Sequence, residues 1–275
     1  MALRRAGWAV VGVDRDPATA RAAVARGAAD QAGTDLRAVG EAEVTVVAVP
    51  LPAIVPVARD AAAHMRPGAV LTDTGSVKGP VVAALAGLPR VRFVGGHPMF
   101  GSEGQGIAAA DASLLPGRPY VLTPVEGTDP EAVVVVEELV RSLEMQPVRL
   151  PPEVHDRLAA QVSHLPYLVA LALAGAVEGE ARTIAGPAFR EMTRVARSPR
   201  PMWAAIARAN REAILAALDR FQAELAALRA AVVSGRLHGD AALQGETRRE
   251  GAAPPGEAAA RGDTPLQEDA TEEGG

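Results

Sequence analysis

The chain contains no cysteine, which excludes disulfide scaffolds, thiolate metal sites and thiol nucleophiles together and fits a reducing compartment. Aromatic residues are scarce, at 3%. Charge of one sign is scarce too: 28 Lys plus Arg against 33 Asp plus Glu leave a net −5 over 275 residues, too little positive field to gather a polyanion. No nucleic-acid partner is expected. The longest strongly apolar run, residues 165–177, falls short of the ~20 residues that span a bilayer. The apolar stretch near the N-terminus is broken by Asp14, Arg15 and Asp16 too early for a secretory signal. The chain therefore reads as cytoplasmic, with no membrane partner. Only five histidines are present, so each is weighed individually.

What is there is an average soluble composition, 48% hydrophobic and 22% charged, in a length that holds one large domain or two modest ones. Residues 8–13 form a short β-branched run, and Asp16-Pro17 opens a helical stretch that Gly27 stops. Residues 44–49 are a second buried-type strand closed by Pro50, followed by an amphipathic segment from Ile54 to about Met65. Residues 69–73 are a third strand, 80–86 a helix and 91–94 a fourth strand. Strands of nearly continuous apolar character that alternate with helices predict an α/β fold with a Rossmann-like, doubly wound parallel sheet. Two last strands, near 120–124 and 147–150, flank a helix over 129–143. After Pro151 strands disappear, and 152–177, 187–197 and 201–234 carry helical periodicity. The expected division is a dinucleotide-binding domain over 1–150, an all-helical substrate and dimerisation domain over 151–237 and a disordered tail over 238–275, which has too few large apolar side chains to offset its ordering entropy.

Asp14, just past a strand, has the position of the acidic residue that accepts hydrogen bonds from a dinucleotide's ribose hydroxyls. An Asp before Pro17 is equally suited to cap a helix. As a ribose ligand it favours NAD over NADP, although Arg15 beside it has the chemistry to accept a 2′-phosphate. Val49 and Pro50, at the end of a strand, complete the expected cofactor rim. The glycine-rich turn G-x-G-x-x-G that normally precedes such an acidic residue is absent from the sequence. Residues 2–6 read as the last turns of a helix ended by Gly7, so the first strand and phosphate loop of the Rossmann unit are expected to be missing from this chain.

His97 lies in Gly95-Gly96-His97-Pro98 after the fourth strand, at the carboxyl end of the sheet, where open α/β proteins bind ligands. Near-neutral titration suits it to general-base work, while a lone loop histidine is also a common structural residue. Thr74-Gly75-Ser76-Val77-Lys78, at the end of the preceding strand, adds a hydroxyl and an ammonium to the same rim and favours the catalytic reading.

These residues carry a resemblance. The chain resembles the prephenate and arogenate dehydrogenases, the TyrA family, in the strings Thr72-Asp73-Thr74-Gly75-Ser76-Val77-Lys78, Gly95-Gly96-His97-Pro98-Met99, Gly101-Ser102-Glu103, Arg118-Pro119-Tyr120, Ser163-His164-Leu165-Pro166 and Met192-Thr193-Arg194-Val195-Ala196, the last followed by Met202-Trp203. The resemblance covers roughly residues 1–235 and implies a Rossmann domain, a helical dimerisation domain and a likeness of chemistry. It implies that His97 draws the proton from the ring hydroxyl of a cyclohexadiene while hydride passes to NAD, followed by loss of CO2. Ser76 is implied to orient that hydroxyl and Arg194 to bind a substrate carboxylate, which a planar guanidinium does bidentately. Without the family, Arg190, Arg194 and Arg197 read as a solvated helix face. Ser163, His164, Glu103 and Trp203 are further substrate candidates, with a buried structural role open for His164 and Trp203. Tyr167 stands where many members have a second histidine, so prephenate and arogenate both stay open as substrates. A homodimer through the C-terminal helices is implied; no metal, regulatory ACT domain or chorismate mutase segment is expected. A β-hydroxyacid dehydrogenase would place its lysine on the helical domain, where this chain has none, and a ligand-binding relic without its cofactor loop is the non-enzymatic alternative.

Overall fold

The structure is a computed structural model that describes residues 1–101, 104 and 106–236. Glu103 and the tail expected over 238–275 lie outside the described residues. The chain divides into two compact units, Met1–Phe221 and Gln222–Gly275.

The first unit opens with a short helix, α1 (Ala2–Arg5), then β1 (Val11–Val13), α2 (Pro17–Ala25) and β2 (Gln31–Gly33). Asp16 caps α2 by accepting the Ala18 amide at 2.9 Å, and Pro17 at the first helical position needs no amide partner. The strand β2 has no hydrophobic signal and was not legible in the sequence. It pairs in parallel with β1 as a two-stranded sheet. The main sheet has five strands in the order β3 (Val44–Val47), β4 (Val70–Asp73), β5 (Arg92–Pro98), β6 (Pro119–Thr123), β7 (Gln146–Arg149). Among the described residues neither the free edge of β1 nor that of β3 carries a strand. In a doubly wound sheet of order 3-2-1-4-5-6 those edges flank the first strand.

Helices α3 (Leu51–His64) and α4 (Gly79–Leu85) cover one face, and α5 (Pro130–Ser142) the other. The alternation along β4 and β5 sorts their side chains between them: Leu71 and Phe93 join Ile54, Ala58, Met65 and Leu85, while Val70 and Val94 join Leu122, Val136 and Val140. Each fully buried aliphatic side chain contributes about 1.5–3 kcal/mol by leaving water.

The sheet is dominated by parallel pairings, as expected, with one antiparallel pair: β6 runs antiparallel to β5, with His97 opposite Val121 and Gly96 opposite Leu122. One expectation needs correction: because of that pairing β5 does not end at residue 94, and His97 lies within the strand instead of in a loop beyond it. The glycines that look like loop residues are there because no side chain fits. A Cβ on Gly96 falls 2.7 Å from the Asp73 carbonyl oxygen and 2.9 Å from Tyr120 Cε1, and one on Gly95 falls 2.8 Å from Val82 Cγ2.

Beyond β7 the first unit is helical: α6 (Pro152–Ala159), a π-helical turn (Ala160–His164), α7 (Leu165–Ala176), α8 (Pro187–Thr193), a 3₁₀ turn (Arg194–Arg197), α9 (Arg200–Ala209) and α10 (Arg211–Val233), which continues into the second unit. The stretch from 201 to 234, read as one helix, is two, broken at Asn210. Ala160, Ile214 and Ala217 form its small core with Leu165 and Leu168. Residues 152–176 make one run of 25 residues that by length and composition alone is apolar enough to cross a membrane. Its first turns carry Glu153, His155, Asp156 and Arg157, and His155 and Asp156 are hydrogen-bonded to the sheet side of the molecule. The second unit continues α10 through exposed Leu225, Leu228, Val232 and Val233.

Gly96→Ala is expected to cost about 1–3 kcal/mol by overpacking the β4–β5 seam. Gly33→Ala, where no atom lies within 4 Å of the added Cβ, is expected to cost markedly less. Denaturant unfolding of the two variants compares them, and equal losses contradict the packing argument.

Candidate active site

The carboxyl ends of β4 and β5 are joined by polar groups in the interior. Asp73 is the last residue of β4, and its carboxylate accepts the Gly75 amide at 2.8 Å and the Gly96 amide at 3.2 Å. Lys78 lies fully buried, and its ammonium contacts the Asp73 carboxylate and donates to the Gly96 carbonyl at 2.7 Å. This corrects the expected place of Lys78: the side chain turns inward beneath the loop instead of standing on the rim. Burial lowers its pKa, against the opposing effect of Asp73 and Asp156. The loop so fixed holds Ser76 partly exposed.

The helical region supplies the other wall. His155 and Asp156, on α6, were not among the residues singled out in the sequence, since an isolated His-Asp pair has no spacing signature. His97 Nδ1 lies 2.8 Å from His155 Nε2, and His155 Nδ1 lies 2.8 Å from Asp156 Oδ1. Asp156 also accepts the Lys78 amide at 2.7 Å and the Gly79 amide at 2.8 Å, which ties α6 to the start of α4. Asn210, at the break between α9 and α10, donates to the Asp156 carbonyl at 2.8 Å and faces His164 Nδ1 at 3.2 Å.

His164 closes the π-helical turn, a feature common at functional sites, and its Nε2 is buried with no well-formed hydrogen bond. Trp203 Nε1 is likewise a buried donor without a partner. The indole stacks on Tyr167 with ring centroids 3.8 Å apart, and His164 meets it edge-on at 6.1 Å. His164 and Tyr167, neighbours along one helical run, and the sequence-distant Trp203 are therefore one cluster.

Burial holds His97 well below the ordinary histidine pKa, reinforced by His155, Lys78 and His164. His164 is lowered to about 4, by burial first and by His155, against the opposing effects of Asp156 and the Ser76 backbone. On Asp156 burial acts upward, but the hydrogen bonds from His155 and the two amides outweigh it and its pKa is lowered. The result is a neutral imidazole at His97 in a dry setting beside an ionised carboxylate.

Asp14 follows β1, partly buried, and is not the helix cap: its Oδ1 accepts the Asp16 amide at 2.8 Å, and Asp16 is the cap. Arg15 is exposed. Val49 and Pro50 follow β3 at the start of α3, Val49 packed against the core and Pro50 exposed. An acidic side chain beside β1 and an apolar rim after β3 fit the ribose and ring portions of a dinucleotide, while no G-x-G-x-x-G cradle for its pyrophosphate occurs in the sequence. Ser163 is part of the π-helical turn and partly buried, and Arg194 is exposed on the 3₁₀ turn against α7.

A Rossmann-type sheet with a buried histidine at its carboxyl edge, walled by a helical region, is the frame of the site. The chain belongs to the prephenate dehydrogenase family: residues 1–148 match the family's nucleotide-binding domain and residues 151–241 its dimerization domain. It is 34% identical over 205 residues to a cyclohexadienyl dehydrogenase of Zymomonas mobilis, covering 72% of this chain and 70% of that one. It is 33% identical to a prephenate dehydrogenase of Bacillus subtilis over 81% of this chain, spanning 63% of that relative's length. Among solved structures it resembles a prephenate dehydrogenase from Aquifex aeolicus, in complex with hydroxyphenyl propionate and NAD+, with a TM-score of 0.79 and 28% identity over 90% of this chain and 91% of that one. It also resembles a Synechocystis arogenate dehydrogenase, with a TM-score of 0.71 and 31% identity over 90% and 92%.

The burial of His97 and His164 makes stability fall on acidification. Below pH 6.5 the unfolded chain binds a proton at residue 164 that the folded chain refuses until about pH 4, so that contribution is lost as pH drops through this window. Denaturation midpoints of the wild type and His164→Gln between pH 7 and 4 are expected to fall less steeply in the variant. Parallel slopes contradict the assignment.

Proposed function

We propose that this chain is an NAD-dependent prephenate dehydrogenase, converting prephenate to 4-hydroxyphenylpyruvate and CO2 on the path to tyrosine. The observation that carries the reading is His97, a neutral imidazole buried at the carboxyl end of β5 in a chain of this family. On this reading residues 1–150 bind the dinucleotide and 151–237 complete the substrate site and dimerise.

The residues divide the work as follows. When bound, NAD supplies the hydride acceptor; Asp14 holds its ribose hydroxyls and Val49 and Pro50 flank it, with Arg15 alongside. His97 accepts the proton of the ring hydroxyl as the carbon bearing it becomes a carbonyl. Ser76 orients that hydroxyl and His97. The electron pair of the bond to the ring carboxylate then flows into the ring, CO2 leaves, the oxygen that had become a carbonyl takes the proton back from His97 as the phenol forms, and aromatisation drives the step. Arg194 pairs with a substrate carboxylate, and Ser163, His164, Tyr167 and Trp203 complete the substrate's surroundings. The unpartnered donor on Trp203 suits an anionic or carbonyl oxygen, because a buried donor left unpaired costs about 1–3 kcal/mol.

Arogenate is the second reading, supported by Tyr167, which stacks on Trp203 at the position where many members have a second histidine. The two substrates differ in a keto or an amino group on the side chain remote from His97, so the same chemistry serves both. A homodimer in the cytoplasm completes the proposal. It is supported by the match to the family's dimerization domain and by apolar side chains left open in the helical region, among them Val162, 66% exposed, and Ile184, 86% exposed.

Turnover with prephenate or arogenate, followed as reduced nicotinamide, is the test. NAD is expected to give the higher kcat/KM than NADP, since Asp14 repels a 2′-phosphate. The acid limb of kcat/KM is expected below pH 6.5, because the lowered pKa of His97 keeps it a base there. His97→Asn is expected to lower kcat by about 10²-fold or more with a smaller change in KM. Unchanged kcat in the variant, or no turnover of either substrate by the wild type, overturns the reading.

A further inference from the structure

Three of the four histidines among the described residues, His97, His155 and His164, gather within one buried site, and the proposed reaction uses only His97 as a base. His155, 1% exposed, serves neither substrate nor cofactor in that account. We propose that His155 and Asp156 are positioning residues that fix the tautomer of His97, leaving its Nε2 as the proton acceptor and drawing the charge it gains toward the Asp156 carboxylate. The inference rests on the reading of His97 as the base.

The chain of hydrogen bonds has a direction set at one end. Asp156 has no proton to give: its carboxylate already accepts the Lys78 amide at 2.7 Å and the Gly79 amide at 2.8 Å, and two backbone donors hold a carboxylate ionised. The proton in the 2.8 Å contact with His155 is therefore on His155 Nδ1. Neutral His155 then presents a lone pair at Nε2. The nitrogen opposite, His97 Nδ1 at 2.8 Å, must supply the proton, because two lone pairs do not approach so closely. His97 is thereby Nδ1–H, and its Nε2 is bare. The opposite arrangement makes His155 a cation that donates to His97 Nδ1 before any reaction, and it leaves no acceptor for the charge that His97 gains.

The groups that act on His97 agree with this direction. They are His155 on α6, with Asp156 behind it, Lys78 before α4 and His164 on the π-helical turn. Lys78 is taken up by Asp73, which leaves Asp156 as the carboxylate in line with the two imidazoles.

The relay also balances. When His97 Nε2 takes the substrate's hydroxyl proton, the O–H bond breaks and an N–H bond forms. Passage of the Nδ1 proton to His155 Nε2 then breaks one N–H bond and makes another, and the cation comes to rest on His155 against Asp156. No electrons are transferred in this relay. Because His155 and Asp156 belong to α6 and His97 to β5, the base acquires this tautomer only when the helical region is seated on the sheet.

The experiment combines ¹⁵N-histidine NMR, which reads the tautomer without any turnover, with kinetics of two variants. In the wild type His97 is expected to carry its proton on Nδ1. His155→Gln, whose side-chain oxygen can accept from His97 but cannot take its proton, is expected to preserve that tautomer and to keep a kcat between those of the wild type and His155→Phe. His155→Phe, which fills the space but accepts nothing, is expected to lower kcat by about 10²-fold with KM within about threefold, the pattern of an interaction made in the transition state. A wild-type His97 protonated at Nε2, or a His155→Phe enzyme with wild-type kcat, overturns the proposal. If neither prephenate nor arogenate is turned over while the Nδ1 tautomer is observed, the substrate reading falls and the relay stands.

Discussion

Lys78 is the only lysine in the 275-residue chain, and neither its side chain nor that of its partner Asp73 is exposed to solvent. Removing two charges from water is costly, and their attraction compensates only when the remaining donors and acceptors are also met. Here they are: the carboxylate accepts the amides of Gly75 and Gly96, and the ammonium donates to the Gly96 carbonyl. Those partners belong to the end of β4, the loop after it and the end of β5. The pair therefore fixes, in one place, the loop carrying Ser76 and the strand carrying His97. The glycines at 75 and 96 follow from it, since a side chain at either falls within 3 Å of Asp73 atoms.

Asp156 repeats the device at the junction with the helical region. Its carboxylate is held by backbone amides of the loop at 78–79 and by His155, and its carbonyl by Asn210. One acidic side chain thus joins α6, the start of α4 and the break between α9 and α10. The two carboxylates differ in what they neutralise: Asp73 answers a permanent cation, whereas Asp156 stands behind a pair of imidazoles that exchange a proton.

Much of this architecture is legible in the residue pattern because it depends on burial and on local backbone rules. Continuous apolar runs marked β3 and β4, Asp16-Pro17 marked the start of α2, and the loss of strands after 151 marked the helical region. The misread parts depend on contacts distant in sequence. Gly95 and Gly96 look like the end of a strand until β6 is present to pair with them. Lys78 looks like a surface cation until Asp73 and the Gly96 carbonyl surround it. His155 and Asp156 have no motif of their own and gain meaning only where α6 meets β5. Asn210 looks like one more polar residue on a long helix, yet its side chain bridges Asp156 and His164. The strings around His97, Ser76 and His164 were readable as a family resemblance before any of these contacts were known, while the hydrogen-bond network behind them was not.

The central claim is that the Asp73–Lys78 pair holds the site together as a coupled unit, and a double-mutant cycle measures it most directly. Denaturant unfolding of Asp73→Asn, Lys78→Met and the double variant gives the coupling energy. Each single variant is expected to lose about 3–5 kcal/mol by stranding a buried charge, and the double variant to lose clearly less than the sum. Strictly additive losses, or single variants as stable as the wild type, contradict the account.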